Sequence, residues 1–205
     1  MTDDIFRIVD KVKGFLDKDE GQVLYDIALE ASRKGPCLEI GSYCGKSAVY
    51  LGLACQKSGG VLFSIDHHRG SEEQQPGEEY FDPDLFDCRA FEVDTFSTFR
   101  QTLATAGLEE SVIPVVGRSE TVAGSWATPV SLVFIDGGHA LDTVTADYHA
   151  WTQYLQSGGY LLIHDIFENL AEGGQAPYQV YQMALESGAY TEEPRIKTLG
   201  ILKKT

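Results

Sequence analysis

Cys37-Leu38-Glu39-Ile40-Gly41-Ser42-Tyr43-Cys44-Gly45-Lys46-Ser47 reads as a buried strand with an acid near its end, then a glycine turn, then the opening of a helix. A strand, a tight turn and a helix N-terminus in succession form a small-molecule pocket. The glycine spacing narrows the choice of ligand. A phosphate-cradling loop requires G-x-x-x-x-G-K-[ST], and here only three residues separate Gly41 from Gly45. The dinucleotide fingerprint requires G-x-G-x-x-G, and position 43 is Tyr.

What remains is E-x-G-x-x-x-G. An acid two residues before the first glycine would repel a pyrophosphate lying on the helix N-terminus. It suits a ligand with a cationic amino group, such as the methionine part of S-adenosylmethionine (SAM). An ordinary strand-to-helix turn with an incidental Glu39 fits the same letters, so the motif by itself leaves both readings open.

Working outward, strand and helix patterns alternate. Two helical patterns, over 3–16 and 19–34, precede the first strand at 36–41 and form an N-terminal cap over 1–35. These helices would either cap the pocket or pair subunits in a homo-oligomer. A helix over 45–57 ends before Ser58-Gly59-Gly60. Strands are predicted at 61–65, 112–116, 130–135 and 160–163, and helices at 94–106, 119–124, 140–156 and 178–187. The helix over 140–156 is expected to stop at Gly158-Gly159. An antiparallel hairpin is predicted over 189–203. Continuous apolar strands separated by helices imply a doubly wound, mostly parallel α/β sheet covered on both faces. Residues 1–205 then form a single domain, with 67–93 as a long loop inserted over the site.

Composition sets outer bounds. With 43% hydrophobic and 11% aromatic residues over 205 positions, the chain can bury a sizeable core and is not a disordered one. A formal net charge of −15 argues against nucleic acid or an anionic membrane as partner. No apolar stretch is long enough to span a membrane, and no signal peptide is evident. The four cysteines, Cys37, Cys44, Cys55 and Cys88, form no C-x-x-C pair, so a reduced cytoplasmic protein is expected.

The chemistry gathers at one rim. In such sheets ligands bind at the carboxyl ends of the strands. Four predicted strands end in ionisable residues: Glu39, Asp66, Asp136 and the pair His164-Asp165. His67, His68, His139 and His164 also fall just past strand ends, and only His149 sits mid-helix. Asp66 is placed to accept hydrogen bonds from ribose hydroxyls, a role common to NAD and SAM enzymes, or to cap a helix. Neighbouring parallel strands lie about 4.8 Å apart, so Asp136, His164 and Asp165 can share one cation. Two carboxylates and an imidazole admit Mg²⁺, Mn²⁺, Fe²⁺ or Zn²⁺. Such an ion would bind a substrate hydroxyl and lower its pKa, with His139 taking the proton. Alternatively Asp136 binds the cofactor and His139 begins the next helix. Ser119 is placed to meet an adenine edge and Arg118 a substrate acid, unless both merely open a helix. Within the long loop, His67, His68 and Arg69 are expected at the pocket, whereas Glu72 to Gln75 read as solvated surface.

Together these residues resemble class I SAM-dependent methyltransferases. Leu38 to Val49 is similar to the SAM loop of catechol-type O-methyltransferases. Phe134-Ile135-Asp136-Gly137-Gly138-His139 and Gly158-Gly159 through Asp165 resemble later motifs of the macrocin and mycinamicin sugar O-methyltransferases. The resemblance covers about residues 36–165 and implies a Rossmann-like methyltransferase sheet. It also implies that Glu39, Gly41, Ser42, Tyr43, Gly45 and Ser47 line the methionine end of SAM. Asp66, with His67 beside it, would take the ribose, Ser119 the adenine, and Asp136 would adjoin the cofactor. Asp136, His164 and Asp165 match the metal-ligand positions, and His139 with Asp136 the catalytic pair. One departure stands out: His164 occupies a position that is usually a carboxylate, which weakens a site for hard Mg²⁺ and suits a softer ion or none.

The expected activity is O-methylation of a small hydroxylated metabolite. Two other classes remain open on the sequence: a nicotinamide-dependent oxidoreductase with an atypical glycine loop, and a non-catalytic SAM-binding protein on the same scaffold.

Overall fold

The computed structural model describes residues 7–205. Its centre is a sheet of seven strands in the order β5-β2-β1-β6-β7-β9-β8. The strands are β1 (Cys37–Ile40), β2 (Leu62–Asp66), β5 (Val112–Val116), β6 (Val130–Ile135), β7 (Leu155–Ile163), β8 (Tyr190–Ile196) and β9 (Leu199–Lys204). The five strands β5, β2, β1, β6 and β7 pair in parallel, and β9 enters antiparallel to both β7 and β8. The predicted C-terminal hairpin is therefore present, turning at Lys197 with φ of 49°.

Helices cover the sheet, among the described residues α1 (Lys18–Ala31), α2 (Lys46–Ser58), α3 (Phe96–Ala106), α4 (Ser119–Ala123), α5 (Leu141–Thr152) and α6 (Ala176–Glu186). Strand periodicity divides the core in two. Cys37, Leu132, Phe134, Tyr160 and Leu162 point to one face and pack against buried residues of α1, α2 and α3, including Leu24, Ala28, Leu51 and Phe99. Leu38, Ile40, Val133, Ile135, Leu161 and Ile163 point to the other and meet Trp151 of α5 and Tyr181 of α6. Both faces are buried, which is why the strands read as continuous apolar runs.

Two boundaries differ from the sequence reading. Of the predicted helix 3–16, residues 1–6 lie outside the described residues. The chain is helical over 7–9 and then turns, with Gly14 at φ 147° and Leu16 buried. The helix predicted over 140–156 ends at Thr152, and β7 begins at Leu155. Gly158-Gly159 forms an irregularity within β7 and does not stop a helix. Gly158 adopts φ of 74°, and a Cβ on Gly159 would press on the Ser131 carbonyl.

The long loop is partly ordered by structure of its own. It carries 3₁₀ turns at Glu72–Gln74 and Pro83–Leu85, and a two-strand ribbon of β3 (Phe86–Asp87) and β4 (Glu92–Val93). Leu85 and Val93 pack with Cys44 of the glycine turn in a small separate core. Lys13 also ties the loop down through Asp82 at 2.5 Å and Asp84 at 3.0 Å. Among the described residues no helix is long and apolar enough to cross a membrane.

Candidate active site

Strand order reverses between β1 and β6, where the chain leaves one half of the sheet for the other. That switch point is where open α/β sheets bind ligands. Here the two strand ends are in close contact. Gly41 has φ of 91°, and a Cβ on it would overlap the Asp136 carbonyl oxygen. Only glycine allows the loop after β1 to lie directly on the loop after β6. Gly45, also at φ 91°, N-caps α2.

Asp66 holds this turn from the next strand. Its carboxylate accepts backbone N–H bonds from Ser42 and Tyr43, both at 2.9 Å, and from His68 at 2.7 Å. A carboxylate has about four acceptor positions, so one is left for a ligand hydroxyl. Tyr43, at φ 44°, stacks near Phe15. His67 is exposed beside Asp66, while His68 is buried and bonded to Thr95 at 2.7 Å.

Glu39 lies inside the turn, not on its surface. It is fully buried, and Ser64 and Ser47 donate to its two oxygens at 2.5 and 3.0 Å. Ser42 joins the same chain through Ser64 at 2.5 Å. Burial pushes the Glu39 carboxyl up to about 8 despite these hydrogen bonds, with Asp136 and Asp66 adding repulsion. The residue points inward beneath α2, because alternation along β1 puts it on the same face as Cys37. Its hydrogen bonds to Ser64 and Ser47 brace the turn from within.

Ser119 is likewise engaged. Trp151 donates its indole N–H to the Ser119 hydroxyl at 2.7 Å, and the hydroxyl bonds the buried carboxyl of Asp147. Burial raises Asp147 to about 6 against that bond. Arg118 is exposed at the start of α4.

The ends of β6 and β7 bring the remaining groups together. His164 follows Ile163, so it points to the face covered by α1 and is 6% exposed. Its Nδ1 lies 3.0 Å from Asp136 Oδ1 and 3.4 Å from Asp165 Oδ2. Its Nε2 lies 3.0 Å from Oε2 of Glu20. Asp165 adopts φ of 57°, a left-handed conformation that Asp tolerates better than most residues. That turn brings its carboxylate to His139, with Nε2 to Oδ2 at 2.9 Å. The other ring nitrogen of His139, Nδ1, meets Glu73 Oε2 at 3.1 Å.

The electrostatics follow from this packing. Burial opposes charge on His164, yet Asp136, Asp165 and Glu20 outweigh it and hold the imidazole protonated far above its ordinary range. Burial likewise opposes charge on Asp165, but His139 and His164 keep it well below the usual carboxylate range. The Asp165 hydrogen bond, with Glu73 adding to it, raises His139 to about 9 against partial burial. The surrounding carboxylates thus favour the protonated form of both imidazoles.

The same atoms suit a divalent ion. One ligand atom each from Asp136, His164 and Asp165 lie within 4.8 Å of one another, at the sheet rim, and combine nitrogen and oxygen donors. An ion there would take the place of the proton between His164 and Asp136.

Two residues of this cluster escape the sequence reading. Glu73 belongs to the stretch read as solvated surface, and the structure corrects this: it reaches across the site to His139. Glu20 reads as an ordinary position on the second predicted cap helix, 19–34. The one visible signal was Asp17-x-x-Glu20, the spacing of a capping box, which is present. The capping Glu turns inward and serves the rim as well.

This switch-point architecture, with its glycine turn and acid-tipped strands, is that of a class I SAM-dependent methyltransferase. A family model described as "Methyltransferase domain" matches residues 38–166, and the chain belongs to that family. Among solved structures, the chain is similar to the O-methyltransferase TomG from Streptomyces achromogenes, involved in tomaymycin synthesis and solved in complex with SAM. The identity is 17%, the match covers 100% of this chain and 87% of that one, and the TM-score is 0.65. It is similar to the SAH-bound methyltransferase PaMTH1 from Podospora anserina at 14% identity, covering 100% and 87% of the two chains, with a TM-score of 0.70. It is also similar to a putative caffeoyl-CoA O-methyltransferase from Staphylococcus aureus at 14% identity, covering 98% and 91%, with a TM-score of 0.68.

Proposed function

We propose that the protein transfers the methyl group of SAM to a hydroxyl oxygen of a small metabolite, with His139 receiving the hydroxyl proton. The observation that carries this reading is the position of His139. It is bracketed by Asp165 and Glu73, next to the Asp136–His164–Asp165 cluster, at the switch point of the sheet.

Asp165 and Glu73 favour the protonated form of His139 in the resting arrangement. An acceptor hydroxyl that displaces Glu73 or Asp165 from one ring nitrogen removes the partner that held the proton. The imidazole then returns toward its ordinary range, gives up its extra proton to solvent, and can act as base. In the reaction the hydroxyl oxygen attacks the methyl carbon, forming the O–C bond. The C–S bond breaks with its electron pair staying on sulfur, which becomes the neutral thioether of S-adenosylhomocysteine. The hydroxyl proton goes to a ring nitrogen of His139. Holding oxygen and methyl in line supplies much of the rate.

Asp136, His164 and Asp165 would hold a divalent ion, whose chemistry there would be Lewis-acid stabilisation of the acceptor oxygen. The glycine turn from Gly41 to Ser47 and the free acceptor position of Asp66 would receive the cofactor, with Tyr43 and His67 at its edge. Ser119, its hydroxyl engaged with Trp151, would offer an adenine its backbone N–H. A reducing, cytoplasmic setting is part of the proposal, since all four cysteines are free.

Calorimetric titration with SAM, SAH and NADH, followed by a methyl-transfer screen over hydroxylated acceptors, tests it. SAM and SAH are expected to bind. NADH binding without SAM binding would exclude methyl transfer.

A further inference from the structure

We infer that Glu20, on the N-terminal helix and far in sequence from the rim motifs, is a positioning residue that sets the His164 imidazole for a divalent transition-metal ion. The inference rests on the metal-assisted form of the function proposed above.

Four observations support it. Glu20 is 2% exposed, a burial that acidic side chains rarely have unless they are partnered. Its Oε1 accepts from the Thr198 backbone N–H and hydroxyl, both at 2.8 Å, so the β8–β9 turn fixes its orientation. Its Oε2 accepts from the Asp17 N–H at 3.3 Å and faces His164 Nε2 at 3.0 Å. On its other side, His164 presents Nδ1 to Asp136 and Asp165.

An ionised carboxylate is an acceptor only. Glu20 therefore keeps a hydrogen on Nε2 whatever occupies the rim, and the lone pair of a neutral ring falls on Nδ1. That nitrogen is the one whose neighbours are two further ligand oxygens. A carboxylate behind a ligating histidine fixes its tautomer and raises its basicity. One imidazole nitrogen with two carboxylate oxygens suits Co²⁺, Zn²⁺, Fe²⁺ or Mn²⁺ better than Mg²⁺, which favours all-oxygen shells and keeps its water. The departure at His164 and the acid behind it then belong together: a carboxylate at position 164 would face Glu20 with like charge.

The test uses the full chain with Co²⁺ and Zn²⁺ as probes. Metal-free protein titrated with Co²⁺ should develop ligand-field absorption, and millimolar Mg²⁺ should not displace it. Glu20→Gln should weaken Co²⁺ binding 10- to 100-fold, the usual range for losing such a partner, while SAM affinity stays within threefold. Asp17→Ala removes the side-chain half of the capping box, keeps the backbone N–H that Glu20 accepts, and does not touch His164. It should lower the melting temperature and leave Co²⁺ affinity within threefold. Should Glu20→Gln fail to fold, long-range ¹H–¹⁵N correlation on the Zn²⁺-loaded natural protein decides: His164 should be protonated on Nε2 and metal-bound through Nδ1.

Zn²⁺ on Nε2, Co²⁺ affinity in Glu20→Gln within threefold of the natural protein, or equal loss in Asp17→Ala would overturn the role of Glu20. SAM binding without any Co²⁺ or Zn²⁺ binding would overturn it too. Co²⁺ binding without SAM binding would refute the methyl-transfer reading and leave the role of Glu20 standing.

Discussion

Replacing Glu39 by Gln separates two views of the glycine turn. If the acid recognises a ligand charge, neutralising it should cost SAM affinity. If it is an internal brace, neutralising it should stabilise the fold at high pH. The structure supports the second outcome and sets its size. Burial holds the carboxyl neutral up to about 8, against an ordinary value of 4.5. The folded state therefore binds this proton more tightly than the unfolded state. Its contribution to stability is complete below pH 4.5, is lost as pH rises through about 8, and is flat above that. Across the window the loss runs at about 1.4 kcal/mol per pH unit.

Gln at position 39 carries no such slope and can still bond Ser47 and Ser64. Any loss of hydrogen-bond quality is a constant offset. Urea unfolding of both proteins at pH 5, 6.5 and 8 should show the stability of Glu39→Gln gaining on the natural protein by up to about 4 kcal/mol across that range. SAM affinity of the variant should stay within threefold. Parallel pH curves would mean that Glu39 is ionised in the folded protein. A tenfold loss of SAM affinity would restore its role as a ligand contact. Either result would refute the reasoning.

Other consequences can be checked in the same protein. Gly41→Ala places a methyl group against the Asp136 carbonyl and adds about 1–2 kcal/mol of left-handed strain; the melting temperature should fall and SAM affinity drop at least tenfold in calorimetry. Asp147→Asn keeps an acceptor for Ser119 and removes a buried carboxyl raised to about 6. The folded state again holds the proton more tightly, so the variant should gain up to roughly 3 kcal/mol on the natural protein between pH 4 and 7 in urea titrations and no more above that. His139→Ala should lower turnover about 10²- to 10⁴-fold with SAM affinity unchanged, as read by initial rates and calorimetry. Glu73→Ala removes the loop's contact with His139; limited proteolysis within 67–93 should speed up several-fold at an unchanged melting temperature.

The sheet was legible in the sequence because both its faces are buried. Val130 to Ile135 has no polar face to interrupt the apolar run apart from Ser131, whose hydroxyl bonds the Gly35 carbonyl at 2.8 Å. The rim was legible for a related reason. Carboxyl ends of strands in a parallel sheet lie on one side, so Asp66, Asp136 and His164-Asp165 could be placed on one rim from their positions at strand ends, although β1 separates the strands of Asp66 and Asp136. The boundary between α5 and β7 differs because glycine there has two meanings. Gly158-Gly159 fits a helix stop and a strand irregularity equally well on local grounds, and only pairing with β6 decides between them.

Glu20 and Glu73 mark the limit of local reading for a physical reason. Each meets its histidine across 144 and 66 residues of chain respectively, and neither contact leaves a periodic trace in its own segment. Glu20 still satisfies every local rule for a helix start, and Glu73 every rule for a solvated turn. Side-chain direction decides both cases. His164 is committed to the α1 face by the period-two alternation of β7, so a buried partner comes from the elements packed on that face, of which α1 and the β8–β9 turn lie beside it. His139 follows a strand end and lies at the open rim, so its second partner could come only from a segment crossing that rim, which is the inserted loop. Placing a histidine on its strand thus fixes which elements must supply its partners, even when the partner's own sequence gives no sign of it.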